Sequence, residues 1–434
     1  MEHGNDIPLY TLAPFVLMLG AIAVLPLVAH RFWESNRNKL IISLVLGIPT
    51  GAWMLANGFL HEVEHAMIFD YVPFIILLGG LFVITGGIYV KTNLKSTPIV
   101  NSSILAIGAI LASFMGTTGA AMLLIRPLMN TNRDRKYKVH TVLFFIATVA
   151  NCGGLLTPLG DPPLFMMYLR GAPFEWFMQL FPEWLALNLV VIIIYYFVDK
   201  YLSGKEGWEI ATDVKVSISL EGKQNFIFLA GVVLSVAFIN QNTMPFLNIN
   251  PYLAYIREAV ILLMALLSLK FTSQMTRANN HFSWEPIEEV AYLFLGIFLT
   301  MIPCLTFLEM HAGDLGVDSP LKVYYFTGFL SSFLDNTPTA VTFYSLVKGL
   351  VGLNPEMIAG VETVAGIPEA YMKAISVASV FFGAMTYIGN GPNFMVKAIA
   401  ESEGIRMPDF FSYMIKFSLI VLLPIFVIVE LLFI

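Results

Sequence analysis

Thr157-Pro158-Leu159-Gly160-Asp161-Pro162-Pro163-Leu164-Phe165-Met166 returns 229 residues later as Thr386-Tyr387-Ile388-Gly389-Asn390-Gly391-Pro392-Asn393-Phe394-Met395. The shared pattern is T-x-x-G-[DN]-x-P-x-F-M, and both copies lie inside apolar stretches long enough to span a membrane, 139–170 and 371–399. Proline removes a backbone donor and glycine admits dihedrals that a helix does not use, so each stretch reads as a helix broken at its centre. Broken backbone at membrane depth is tolerated only where it is buried in protein or lines a wet cavity. A second pair matches at a similar offset of 219: Ser113-Phe114-Met115-Gly116-Thr117-Thr118-Gly119-Ala120-Ala121 lies against Ser332-Phe333-Leu334-Asp335-Asn336-Thr337-Pro338-Thr339-Ala340. Two matches at similar offsets point to an internal repeat.

The surroundings are those of a membrane protein. Of 434 residues, 57% are hydrophobic and 12% charged, against about 25% charged in soluble domains. Apolar runs fill most of the chain: 9–29, 40–58, 72–90, 139–170, 184–198, 226–240, 254–269, 290–308, 371–399 and 410–434. About 20 such residues cross a hydrocarbon layer of about 30 Å. The net charge of −6 gives no reason to expect a nucleic-acid partner. Cys152 and Cys304 both sit in apolar context and read as small buried hydrophobes. The acidic start, MEHGND, is unlike a signal peptide.

Charge sets the sidedness. Arg31/Arg37/Lys39, Lys91/Lys95, Arg133/Arg135/Lys136/Lys138, Lys200/Lys205/Lys215/Lys223 and Lys270/Arg277 mark cytoplasmic loops, whereas 61–70, 173–183, 241–251 and 311–318 carry no Lys or Arg. Only 98–129 separates Lys95 from Arg133, so that stretch enters and leaves by the cytoplasmic face as a re-entrant hairpin. Its counterpart, 322–347, enters from outside. Both termini then lie outside the cell (inner) membrane.

The expected fold is an all-α polytopic membrane protein of two inverted-topology repeats. The first repeat is 1–200, with scaffold helices in 9–90, hairpin 98–129, broken helix 139–170 and helix 184–198. A cytoplasmic linker, 201–224, leads to the second repeat, 225–434, with scaffold helices in 226–308, hairpin 322–347, broken helix 371–399 and helix 410–434. Inverted repeats with Gly/Pro-interrupted segments at matching positions point to a transporter's midplane site.

The breaks supply that site's chemistry. Thr157, Gly160 and Asp161 face Thr386, Gly389, Asn390 and Asn393 across the repeat; the hairpin tips add Ser113, Thr117 and Thr118 on one side and Asp335, Asn336, Thr337 and Thr339 on the other. All are hard oxygen ligands, suited to Na+ and H+ rather than to zinc or copper. A carboxylate at membrane depth costs at least about 2.5–3.5 kcal/mol, which marks Asp161 and Asp335 as functional. Asp335 also reads as the N-cap of a half-helix. The expected Na+ ligands are Thr157, Asp161, Asn336, Thr386 and Asn390. Na+ displaces a proton from the carboxylate and a proton displaces Na+, which makes exchange the expected activity, without enzymatic chemistry or a cofactor. One motif belongs to another class: His61-Glu62-Val63-Glu64-His65 matches the zinc-protease pattern H-E-x-x-H, but in a short external connection with only Asp70 as a third ligand.

Gly153–Phe165 (GGLLTPLGDPPLF), Ser331–Phe343 (SSFLDNTPTAVTF) and Thr386–Glu401 (TYIGNGPNFMVKAIAE) resemble the NhaD-type sodium/proton antiporters of the ion-transporter superfamily, which also includes citrate and dicarboxylate carriers. The resemblance covers most of the chain. It implies a homodimer joined through scaffold helices and a mobile transport domain working by an elevator-like motion. Citrate-type relatives carry Ser-Asn-Thr hairpin tips that hold sodium and a substrate carboxylate together. Here the tips are Gly116-Thr117-Thr118 and Asp335-Asn336-Thr337, and an acidic tip repels an organic anion. Na+-coupled carriage of citrate or a dicarboxylate stands as the alternative.

Overall fold

The computed structural model describes residues 7–207 and 216–434, and within them the chain is built of helices. The acidic start and Lys215 lie outside the described residues. The first half opens with α1 (Ala13–Val28), α2 (Asn36–Ala56) and α3 (Leu60–Thr85). A short strand β1 (Tyr89–Asn93) follows, then α4 (Pro98–Met115), α5 (Thr117–Thr131), α6 (Val139–Thr148), α7 (Pro162–Leu169) and α8 (Phe181–Lys205). After β2 (Ser217–Glu221) come α9 (Asn225–Phe238), α10 (Tyr255–Phe271), α11 (Glu285–Met310), α12 (Pro320–Phe333), α13 (Asn336–Leu353), α14 (Glu369–Phe382), α15 (Gly391–Ser402) and α16 (Phe410–Phe433). Nine helical segments among the described residues are long and apolar enough to cross a membrane.

Two of the sequence boundaries move. The run 72–90 does not stay helical to Val90: the helix ends at Thr85, and Tyr89–Asn93 pairs antiparallel with Ser217–Glu221, so the linker is stitched to the first half as a strand. Gly87 and Gly222 meet at this point, where Asn225 Nδ2 donates to the carbonyls of Gly87 (2.9 Å) and Gly222 (3.0 Å). At its other end α3 begins early, at Leu60, so His61-Glu62-Val63-Glu64-His65 lies on the first turns of a helix and not in a loop. Its third ligand candidate, Asp70, is shared: Oδ2 lies 3.2 Å from Arg170 Nη2 and 3.6 Å from His65 Nδ1. Among the described residues, no group of three His, Cys, Asp or Glu side chains is placed to hold a metal ion.

The opening helices of the two halves pack on one another, α2 against α11 and α3 against α10. The other layer consists of the interrupted segments and the helices that clasp them. In 98–129 one residue makes the turn: Gly116, at φ +81° and ψ 147°, separates α4 from α5. The far ends of this hairpin come back together. Asn132 Oδ1 accepts from Ser96 Oγ (2.7 Å) and Asn101 Nδ2 (2.9 Å), and Asn101 Nδ2 also donates to Asp199 Oδ2 on α8 (3.0 Å). Start signals set both entry helices: Thr97 caps α4 by accepting from the Val100 N–H and Ser319 caps α12 by accepting from the Lys322 N–H, each followed by proline at the first helical position. The second hairpin turns at Leu334 and Asp335, and its Leu353 end lies near Gly313, shortly before Pro320 starts α12.

The Gly116 dihedrals fall in a region that only glycine occupies without strain, which costs other residues about 1–3 kcal/mol. Gly116→Ala should therefore lower the stability of the purified protein by about that amount, read as a depressed melting temperature in detergent, whereas Ala at the neighbouring exposed position Phe114 should not.

Candidate functional site

Each broken helix stops for a stated reason. In the first, α6 ends at Thr148 and a tight turn, Cys152–Leu156, carries the chain to an extended Thr157. In the second, α14 ends at Phe382 and the turn Gly383–Met385 leads to an extended Thr386. Both threonines then do the same thing. Thr157 Oγ1 donates to the Ser113 carbonyl, and Thr386 Oγ1 donates to the Ser332 carbonyl, so each break is pinned to the end of the first helix of its own hairpin. Each hydroxyl also accepts from the backbone just beyond it: Leu159 N–H for Thr157, Ile388 and Gly389 N–H for Thr386. Gly160 and Gly389 permit close self-approach. A Cβ on Gly160 would overlap the Gly154 carbonyl oxygen, and one on Gly389 would lie 2.6 Å from the Gly383 oxygen. The residues that follow, Asp161 (φ −141°, ψ 141°) and Asn390 (φ −149°, ψ 140°), start α7 and α15 in matching conformations.

The side chains of these starts converge. Asp161 is 1% exposed and receives three hydrogen bonds from three other segments. Thr117 Oγ1, on the first turn of α5, donates to Oδ1 (2.9 Å); Asn336 Nδ2, on the first turn of α13, donates to Oδ2 (2.7 Å); Asn390 Nδ2 donates to Oδ1 (3.1 Å). Four helices thus begin around one carboxylate, α5, α7, α13 and α15. Each terminus carries a partial positive charge of about half an elementary unit, which favours the anionic form without a basic side chain in contact. Thr117 and Asn336 occupy equivalent places in the repeat, as do Asp161 and Asn390, so the two halves meet here with one carboxylate and one amide at matching positions.

Of the expected Na+ ligands, Asn336 and Asn390 are both brought into contact with Asp161. The hydroxyls of Thr157 and Thr386 are turned to backbone carbonyls instead. Ser113 Oγ likewise donates to the Gly153 carbonyl (2.5 Å), and the Gly160 carbonyl accepts from the Thr117 N–H (2.9 Å). Asp335 is half-buried; its Oδ1 accepts from the Thr337 N–H (3.0 Å) as the cap of α13, and its carbonyl accepts from Thr339 Oγ1 (3.0 Å). Thr118 is half-buried one position beyond Thr117. Asn393 is fully buried, with Nδ2 donating to the carbonyls of Gly383 (2.8 Å) and Thr386 (2.9 Å).

Sequence reasoning missed Asn151 and Ser331. Asn151 is fully buried between the two breaks: its Nδ2 donates to Asn393 Oδ1 (2.6 Å), and its Oδ1 accepts from Asn390 Nδ2 (3.2 Å). The 229-residue offset sets Val380 opposite it, so the repeat gave no signal; the Gly153-Gly154 pair just after it was the available hint of irregular backbone. Ser331 Oγ contacts Asn336 Oδ1 (3.2 Å) from the end of α12, one place before the matched segment.

Because the two glycines make equivalent contacts, Gly160→Ala and Gly389→Ala should each disrupt a break. Overpacking of this kind costs about 1–3 kcal/mol, so both variants should show a lowered melting temperature and weakened transport, while Gly391→Ala, with open space at its Cβ, should show neither.

Over residues 4–434 the chain matches the family described as "Putative citrate transport". No curated protein matches it. A membrane-helical architecture agrees with that match, and the chain belongs to this citrate-transport family of integral membrane proteins.

Proposed function

We propose that this protein is a secondary transporter that exchanges Na+, or Li+, for H+ across the cell membrane, with Asp161 as the group that carries one or the other. The observation that supports this most is the buried Asp161 carboxylate, held by Thr117, Asn336 and Asn390 from three separate segments. An ionised carboxylate is expensive to move through a low-dielectric interior, whereas the same group neutralised by a proton or a cation is not. A carrier that moves only when loaded, and that loads one ion per carboxylate, is an exchanger. The resident ions are therefore cargo, and no cofactor enters the scheme.

In this reading residues 1–200 and 225–434 are inverted copies, the scaffold layer stays fixed and forms the homodimer, and the hairpin layer moves as an elevator, with both termini outside. The matching bonds from Thr157 to Ser113 and from Thr386 to Ser332 support the repeat.

Na+-coupled carriage of citrate or another organic anion is the second reading. The family description favours it, and so do four helix N-termini meeting at one point, which suit an anionic group. Against it, the donors at that point are already filled by the chain's own carboxylate, so a substrate carboxylate would have to displace Asp161.

Inside-out vesicles lacking other antiporters separate the two. Under exchange, added Na+ dissipates an imposed proton gradient in the wild type, and Asp161→Asn abolishes the effect. Uptake of labelled citrate driven by Na+, with no proton movement, would replace the first reading with the second.

A further inference from the structure

The oxygen and nitrogen of an Asn side chain are told apart only by what surrounds them, and around Asp161 the surroundings decide three amides differently from a fourth. The sequence of constraints begins at Asn393. Its nitrogen faces two backbone carbonyls, Gly383 (2.8 Å) and Thr386 (2.9 Å), which only accept, so its oxygen faces Asn151. Asn151 must then offer nitrogen to that oxygen (2.6 Å); the Ile146 carbonyl at 2.8 Å demands the same. This turns Asn151 Oδ1 toward Asn390, which answers with its nitrogen (3.2 Å). The nitrogen of Asn390 meets acceptors on every side, the Ala150 carbonyl (3.2 Å) and Asp161 Oδ1 (3.1 Å) included. Asn390 is a fixed donor.

Asn336 is oriented only by the Asp161 carboxylate itself, whose Oδ2 accepts from Nδ2 (2.7 Å), and loading Asp161 removes that constraint. Its neighbour Ser331 has one hydroxyl proton and two acceptors, the Ser379 carbonyl at 2.7 Å and Asn336 Oδ1 at 3.2 Å. When the shorter bond takes the proton, Ser331 Oγ and Asn336 Oδ1 are left as two facing oxygens. Turning the amide removes the conflict: Nδ2 then donates to Ser331 Oγ. Space for the turn exists because position 383 is glycine; a Cβ there would lie 2.5 Å from Asn336 Oδ1. Once turned, Asn336 presents its oxygen to Asp161 Oδ2, and two oxygens so placed are satisfied by a cation between them.

We propose that Asn151 and Asn393 are positioning residues that lock Asn390 as a donor to Asp161, and that the transported cation binds between Asp161 Oδ2 and the oxygen of a turned Asn336, with Ser331 as the partner that makes the turn possible. This rests on Asp161 being the carrier. It removes Asn390 from the set of cation ligands and makes Asn336 the amide that responds to loading.

Equilibrium binding of 22Na+ to the purified full-length protein in detergent tests it. Asn336→Ala should weaken binding by about tenfold or more, and Asn151→Ala by about tenfold, as expected for an outer partner that orients a ligand shell. Because Asn151 acts through Asn390, the double variant Asn151→Ala/Asn390→Ala should bind no more weakly than Asn390→Ala alone. Additive losses in that cycle, or wild-type affinity in Asn151→Ala, would overturn the proposal. Na+-induced infrared difference spectra of the wild type and the two single variants give a second readout that does not depend on affinity. They should contain a shifted Asn side-chain carbonyl band that disappears in Asn336→Ala and persists in Asn390→Ala; the opposite pattern overturns it. Asp161→Asn distinguishes the two levels. Undiminished Na+ binding there sinks the carrier reading and this inference together, whereas lost binding with an additive cycle sinks the amide assignment alone.

Discussion

A single carboxylate buried where four helices begin is the constraint around which this molecule is organised. Asp161 has almost no contact with solvent, and among its hydrogen-bond donors there is no basic side chain. Its ionised form is held instead by one hydroxyl, two amides and the positive ends of α5, α7, α13 and α15. Hydrogen bonds to a charged group contribute about 1.5–3 kcal/mol each, so three of them are on the scale of the burial cost.

The rest of the core follows from the need to bring those four starts together. A helix start can reach the middle of a membrane protein only if another helix ends there, which is what the hairpin turns at Gly116 and Leu334-Asp335 and the extended segments at Thr157 and Thr386 accomplish. Carbonyls left over by the ending helices would otherwise be orphaned. Thr157 and Thr386 satisfy two of them, at Ser113 and Ser332, and in doing so tie each break to its hairpin. Several residues whose oxygen made them look like ligands are thus engaged in holding the backbone open. Around this core the opening helices of the two halves pack on one another, and the strand pair of Tyr89–Asn93 with Ser217–Glu221 joins residues 217–221 to the first half.

Much of this was legible in the sequence. Apolar runs of spanning length, loops rich in or free of Lys and Arg, and T-x-x-G-[DN]-x-P-x-F-M occurring twice are local or periodic signals, and each reports a physical requirement of its own segment. Of the five residues expected to hold Na+, Asn336 and Asn390 contact the Asp161 carboxylate, while Thr157 and Thr386 bond to backbone carbonyls. Boundaries at the ends of α3 were less legible, because an apolar run does not reveal where a strand partner will capture it or how far a polar first turn such as His61–His65 remains helical.

What the sequence alone determined is therefore the membrane class and the residue types available at the four breaks, since hydrophobic length and the Gly/Pro pattern act within a segment. Only the tertiary structure decided which of those oxygens face Asp161 and which are occupied by backbone. That choice depends on contacts between residues more than 200 positions apart, such as Asn151 with Asn393 and Asn390. It also decided the roles of Asn151 and Ser331, which the internal repeat does not mark, because donor and acceptor roles are assigned by a side chain's neighbours and not by its identity.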